Sequence, residues 1–186
     1  MEKILKFIAA LLVITSCNQE IKEVQKYSIE TLMSNNRSSG GYFSKDASKL
    51  LYSSDKSGVF NLYEVDLNSL KETQVTNSVE ESYFAVAYSP LTNEIIYSAD
   101  KGGNENSHLY LIRDGESIDL TPGENTKASF LGWTQDEKEM YILSNTRNPK
   151  YFDLYKIKMD DLSSKMIMEN NEGYSYYPLS NNDKYL

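Results

Sequence analysis

Apolar residues along much of this chain come in short runs, many of only two to four, and turns separate them. Leu50-Leu51-Tyr52, Ile95-Ile96-Tyr97 and Met140-Tyr141-Ile142-Leu143 are three such runs, and each ends in a serine: Ser53, Ser98 and Ser144. Leu62-Tyr63, Leu109-Tyr110 and Leu154-Tyr155 lie at the centre of three more. Lys56-Ser57-Gly58, Gly102-Gly103, Asp114-Gly115 and Pro122-Gly123 punctuate the sequence between them. Short apolar runs rich in tyrosine and β-branched residues, separated by turn dipeptides, predict strands rather than helices.

The runs repeat. A small hydroxyl residue follows each aromatic opening strand, at Ser44, Ser89, Thr134 and Ser180, with spacings of 45, 45 and 46 residues. Thr76 and Thr121, at the ends of two fourth strands, are again 45 apart. Four strands per unit with a period of this length predict an all-β repeat fold, a β-propeller of four-stranded antiparallel blades. The blades fall at residues 41–76, 83–121 and 128–169, and a fourth begins over residues 174–186. A propeller ring closes with about four to eight blades. About three and a half blades make an incomplete ring, so the sequence is expected to be the front part of a longer protein. Between blades two and three, the contributors expected from their aromatic character are Phe84, Tyr97, Phe130, Trp133 and Tyr141.

The first forty residues break the pattern. Lys3 and Lys6 precede an unbroken apolar run from Phe7 to Ile14. That run is far short of the roughly 20 residues a membrane-spanning helix needs. It fits the apolar core of a secretory signal. Ile14-Thr15-Ser16-Cys17 then resembles a bacterial lipobox. Residues 1–16 are therefore expected to be a lipoprotein signal peptide, and Cys17, the single cysteine, the lipid attachment site. This places the protein in the cell envelope, anchored to a membrane through the lipid on its periplasmic or outer-membrane face. Residues 17–40 hold the lipidated N-terminus, a polar tether and a short helix. In Tyr27–Met33, Ser28 is suited to cap the helix, and Ile29, Leu32 and Met33 fall on one side. Residues 34–41 form a turn-rich connector.

Charge changes the picture only by exclusion. The net charge of −8 disfavours nucleic acid as a partner. The acidic, amide-rich loop at Asp100, Asn104, Glu105 and Asn106 lacks the ligand alternation of a Ca²⁺ loop. Gly102-Gly103 opens no helix and is not a phosphate loop. No metal or other cofactor is expected.

Three stretches together resemble the N-terminal propeller of the prolyl oligopeptidase family of serine peptidases, in its dipeptidyl-peptidase and acylaminoacyl-peptidase branch. They are Gly40–Asp46 with Ser57–Tyr63, Asp100–Glu105 with Asp119–Gly123, and Ala128–Trp133 with Ser144–Arg147 and Phe152–Tyr155. Lys101 stands where that family often has arginine, and Leu91-Thr92-Asn93 replaces a Pro-Asp-Gly type of turn. The resemblance implies an α/β-hydrolase domain following the propeller, peptide substrates, and a propeller that limits access to the catalytic site. It also makes Glu105, with Asn104, the first candidate for contacting a peptide amine, against the plainer reading of a solvated loop carboxylate. No catalytic residue is assigned. The single histidine, His108, is expected on a blade surface, and Gly173-Tyr174-Ser175-Tyr176-Tyr177 lacks the second glycine of a nucleophile elbow. The alternative function is a non-catalytic periplasmic propeller that binds protein partners, similar to the one of the Tol envelope system.

Overall fold

The computed structural model describes residues 26–173 and residue 180. The signal peptide, Cys17, most of the tether and all of the expected fourth blade but Ser180 lie outside the described residues. The chain divides into two units, Met1–Asn35 and Asn36–Leu186.

In the first unit a single helical turn, α1 (Ile29–Met33), starts at Ser28 as the sequence suggests. Ser28 is extended, and its hydroxyl accepts from the Thr31 amide at 3.1 Å, satisfying one of the amides a helix start leaves open. Ile29, Leu32 and Met33 are all exposed.

In the second unit the described residues form three four-stranded antiparallel sheets, each in simple sequence order. Blade one is β1 (Ser38–Phe43), β2 (Lys49–Ser54), β3 (Asn61–Asp66) and β4 (Glu72–Gln74). Blade two is β5 (Tyr83–Tyr88), β6 (Ile95–Ala99), β7 (His108–Arg113) and β8 (Glu116–Asp119). Blade three is β9 (Ala128–Trp133), β10 (Glu139–Asn148), β11 (Tyr151–Lys158) and β12 (Ser164–Met168). β1 begins inside the stretch expected to be a connector. Ser38 and Ser39 pair with Ser54 and Ser53, so the serines that suggested a loop extend the ladder instead.

The apolar runs look continuous because each central strand is buried on both faces. In β6, Ile95, Tyr97 and Ala99 join the layer between blades one and two, and Ile96 joins the layer between blades two and three. In β7, Tyr110 and Ile112 face blade one, and Leu109 and Leu111 face blade three. This is the two-residue alternation of a strand, with apolar side chains at both phases. It corrects the expectation for Tyr97, which lies in the first layer. Phe84 is corrected as well: it is 40% exposed and packs its ring 5.0 Å from Phe60 of blade one. Phe130 and Trp133 pack on the second layer. Tyr141 is buried beneath the Lys156 ammonium, 4.6 Å from its ring centroid, and belongs to neither layer.

The opening strand of each of the three described blades carries a β-bulge. Gly40 and Gly41 together oppose Tyr52, Val86 is passed over between Ala85 and Ala87, and Leu131 between Phe130 and Gly132. An extra residue shifts the alternation by one step. So Ala85 and Tyr88 face blade one, while Val86 and Ala87 both face blade three.

The repeated hydroxyls close the first hairpins of blades one and three. The Ser44 hydroxyl accepts from the Lys49 amide at 3.0 Å and donates to Asp46 at 2.7 Å. Thr134 does the same with Glu139 and Asp136, at 3.1 and 2.7 Å. Those hydroxyl bonds hold the Asp46 carboxyl down to about 2 and keep Asp136 below the ordinary carboxylate range. In blade two, Leu91 stands where the aspartate should be, and the buried Ser89 hydroxyl has no hydrogen-bond partner among the described residues.

A second repeated device joins strand three to the chain leaving strand four. It uses the residue just before each Leu-Tyr pair, namely Asn61, His108 and Asp153. The Asn61 amide oxygen accepts from the Thr76 hydroxyl at 2.9 Å and the Ser78 amide at 2.7 Å. Thr76 in turn accepts from the Leu62 amide, as Thr121 does from the Leu109 amide. Asp153 accepts from the Asn170 amide at 2.7 Å and holds Arg147 through both carboxylate oxygens.

Candidate functional site

The opening strands β1, β5 and β9 converge on an open cleft of about 720 Å³. Its wall is Tyr42 and Phe43 from β1, Val86 and Tyr88 from β5, and Phe130 and Trp133 from β9. The aromatic residue before each hairpin hydroxyl, at positions 43, 88 and 133, reaches this space in every blade. The three differ in what they offer. Phe43 is 61% exposed, and Trp133 is half-buried against Phe130 with ring centroids 5.4 Å apart. Tyr88 is buried and donates its hydroxyl to Glu64 at 2.7 Å, and burial with that acceptor pushes its ionisation above the ordinary tyrosine range.

One end of the cleft carries charge. Lys45 and Glu137 both line it and form an ion pair with each other. They sit in the first hairpin turns of blades one and three, so the pair reaches across the opening strand of blade two. Glu137 takes a left-handed φ of 62°, at the same turn position as Ala47 with 53°. The opposite end is formed by Ser98, Leu109 and Ala128, where strands meet the other face of the blades.

Antiparallel order fixes which loops share a face. The β1–β2 and β3–β4 turns lie at one end of a blade; the β2–β3 loop and the connector between blades lie at the other. Asn104 and Glu105, in the β6–β7 loop, are therefore on the face away from Lys45 and Glu137, and neither lines the cleft. Their loop is held by its own polar groups. The Asn104 side chain accepts from the Asn106 amide at 2.9 Å, and the Glu105 amide donates to Asp100 at 2.9 Å. The Gly102 amide donates to both carboxylate oxygens of Glu81, at 2.8 and 3.0 Å. Glu105 has a φ of 60°, uncommon for a residue with a side chain, and its carboxylate is exposed.

His108 Nδ1 lies 2.7 Å from Asp119 Oδ2, and the other Asp119 oxygen accepts from the Thr121 amide at 2.9 Å. Among the described residues no group of three or more His, Cys, Asp or Glu is placed to hold a metal ion, and no helix is long and apolar enough to cross a membrane. Sequence reading missed the Lys45–Glu137 pair, because the partners are 92 residues apart. The signal available was position: both lie one to three residues beyond a hairpin hydroxyl.

Three blades of four antiparallel strands, stacked with apolar layers between them around converging opening strands, are part of a β-propeller. Solved propellers agree in fold. TolB from Acinetobacter baumannii is 19% identical with a TM-score of 0.54, over 70% of this chain and 32% of that one. A putative TolB from Agrobacterium tumefaciens gives 19% and 0.56, over 73% and 50%. A prolyl endopeptidase gives 15% and 0.55, over 72% and 22%. In sequence, the chain is homologous to dipeptidyl aminopeptidase BIII of Pseudoxanthomonas mexicana, with 28% identity over 152 residues, 77% of this chain and 21% of that protein. It thus spans about a fifth of the length of this curated relative. No family model matches the chain.

Proposed function

We propose that this chain is the propeller portion of a serine peptidase, admitting and orienting short peptides for an α/β-hydrolase domain carried by the same polypeptide. The observation that carries the reading is the homology to dipeptidyl aminopeptidase BIII across most of the chain. The open, aromatic-walled cleft at the convergence of the blades supports it, since a path for peptides needs space and apolar contact. Glu105 and Asn104, exposed on the face away from the ion pair, are proposed to contact peptide ends there. Lipidation at Cys17 would tether the protein to a membrane of the cell envelope.

The test is labelling of native cells with a fluorophosphonate probe, which marks catalytic serines. An antibody raised against the three blades is expected to capture a labelled polypeptide far heavier than 21.3 kDa. Capture of only an unlabelled species, together with protein partners, would favour the alternative of a non-catalytic envelope propeller.

A further inference from the structure

The cleft presents one charge of each sign beside an apolar wall. Lys45 and Glu137 are half-exposed, with 53% and 35% of their side chains open to solvent. An ion pair of that exposure contributes little by itself. It can be exchanged at small cost for contacts of the same kind with a ligand. A lone lysine would suit an anion and a lone glutamate a cation; the adjacent pair suits a ligand that carries both charges. Ligand charges brought against an apolar wall must find partners, and here the partners are already matched in sign and number.

The wall selects the rest of the ligand. Phe130 and Trp133 are both half-buried and line the cleft, which leaves part of each ring open to a third apolar group. Phe43 is 61% exposed and Tyr42 38%, and both line the cleft. The volume of about 720 Å³ lies within the range of small-molecule sites, roughly 300–1,000 Å³, and exceeds what one amino acid would fill.

We infer that the cleft binds a short zwitterionic peptide, a di- or tripeptide with free termini and one aromatic or bulky aliphatic side chain. Glu137 takes the α-ammonium, Lys45 takes the α-carboxylate, and the side chain lies against Phe130 and Trp133. This deepens the peptide-handling function proposed above and rests on it, and it adds a second seat for a short peptide on the face away from Glu105 and Asn104. Lys45 and Glu137 release each other as the ligand enters, so binding draws the first hairpins of blades one and three into contact with the peptide ends.

Trp133 is the single tryptophan and lines the cleft, so its emission reports on the site. The full chain is titrated with Ala-Phe-Ala, with N-acetyl-Ala-Phe-Ala-amide and with phenylalanine. The free tripeptide is expected to change the emission saturably, and the capped peptide and phenylalanine to bind at least tenfold more weakly. Glu137→Gln and Lys45→Met are each expected to weaken the tripeptide fivefold or more. The double exchange Lys45→Glu with Glu137→Lys keeps the pair and is expected to restore binding to within threefold of the original chain. Equal affinity for free and capped peptide, unchanged affinity in the single variants, or no saturable change would overturn the inference. Phenylalanine binding as tightly as the tripeptide would also overturn it, in favour of a free amino acid. The readout needs no turnover, so it stands or falls separately from fluorophosphonate labelling.

Discussion

The Nδ1 atom of His108 lies 2.7 Å from Oδ2 of Asp119, tying the first residue of β7 to the last residue of β8. Asn61 and Asp153 occupy the same place in the other two blades and close them by different chemistry. Asn61 and Asp153 accept directly from the Ser78 and Asn170 amides, whereas His108 holds the Asp119 carboxylate that accepts from the Thr121 amide. Asn61→Ala and His108→Ala are each expected to destabilise the protein by about 1–3 kcal/mol. The shift of the urea unfolding midpoint measures this, and no shift in either variant would show that the closures are incidental.

The Ser89 hydroxyl gives a contrast within one molecule. Ser44→Ala and Thr134→Ala remove bonds to Asp46 and Asp136 and to a hairpin amide, and are expected to cost about 0.5–1.5 kcal/mol. Ser89→Ala removes a buried hydroxyl with no partner among the described residues and is expected to be neutral or stabilising. Leu91→Asp supplies the missing acceptor and is expected to raise the melting temperature. A destabilising Ser89→Ala would contradict this account.

Acid should attack blade three through Asp153. Its carboxyl is held below the ordinary range first by the Arg147 guanidinium, which outweighs the opposing effect of burial, and also by the Asn170 amide. A carboxylate with a depressed folded-state pKa adds stability that is fully present above the ordinary carboxylate range and is lost as pH falls through the folded value. Asp153→Asn is therefore expected to be markedly less stable at pH 7. It should also flatten the acid limb of the stability profile. Asp153 is enclosed but Arg147 is partly open to solvent, so losing these charged hydrogen bonds is expected to cost about 1.5–3 kcal/mol. Denaturant midpoints between pH 7 and pH 3 decide it: parallel profiles for the two proteins would exclude Asp153 as the acid-sensitive group.

Leu62 and Leu109 are both essentially fully buried, one in each layer between blades. Leu62→Ala and Leu109→Ala are each expected to destabilise by about 2–5 kcal/mol through the cavity they leave. Calorimetry of the two variants should show comparable losses. A cost confined to one would mean that the layers contribute unequally.

Lipidation is checked by feeding cells a fatty-acid analogue. The protein is expected to be labelled, and Cys17→Ala to abolish the label. Equal labelling of the variant would remove Cys17 as the attachment site.

The period of Ser44, Ser89 and Thr134 was enough to locate all three sheets, because each marks the start of a backbone-closed first hairpin, which two of the three also hold with their hydroxyls. The capping role of Ser28 was legible for the same reason. The side to which Phe84 and Tyr97 turn was not, since blades buried on both faces show no polar phase to read, and a bulge moves the phase in mid-strand. The bulges themselves leave no common residue type: glycine at 41, valine at 86 and leucine at 131. The cleft was hidden because its wall and its ion pair are assembled from three blades. Asn104 and Glu105 were legible as a loop, but which face that loop shares with which hairpin follows only from strand order.

The bulge in an opening strand also makes the identity of a residue and the length of the strand two separate constraints. The residue passed over by the ladder, such as Val86, answers to no partner across the strand, and its replacement leaves the pairing on either side intact. Deleting it would shift the rest of the strand by one step and exchange cleft wall for inter-blade filling. Substitution at this place keeps the ladder and is felt only where the side chain packs, in the layer between blades two and three and on the cleft wall, whereas deletion shifts the whole strand. The cleft wall can thus be altered at position 86 one side chain at a time, while a change in the length of β5 moves every residue beyond the bulge.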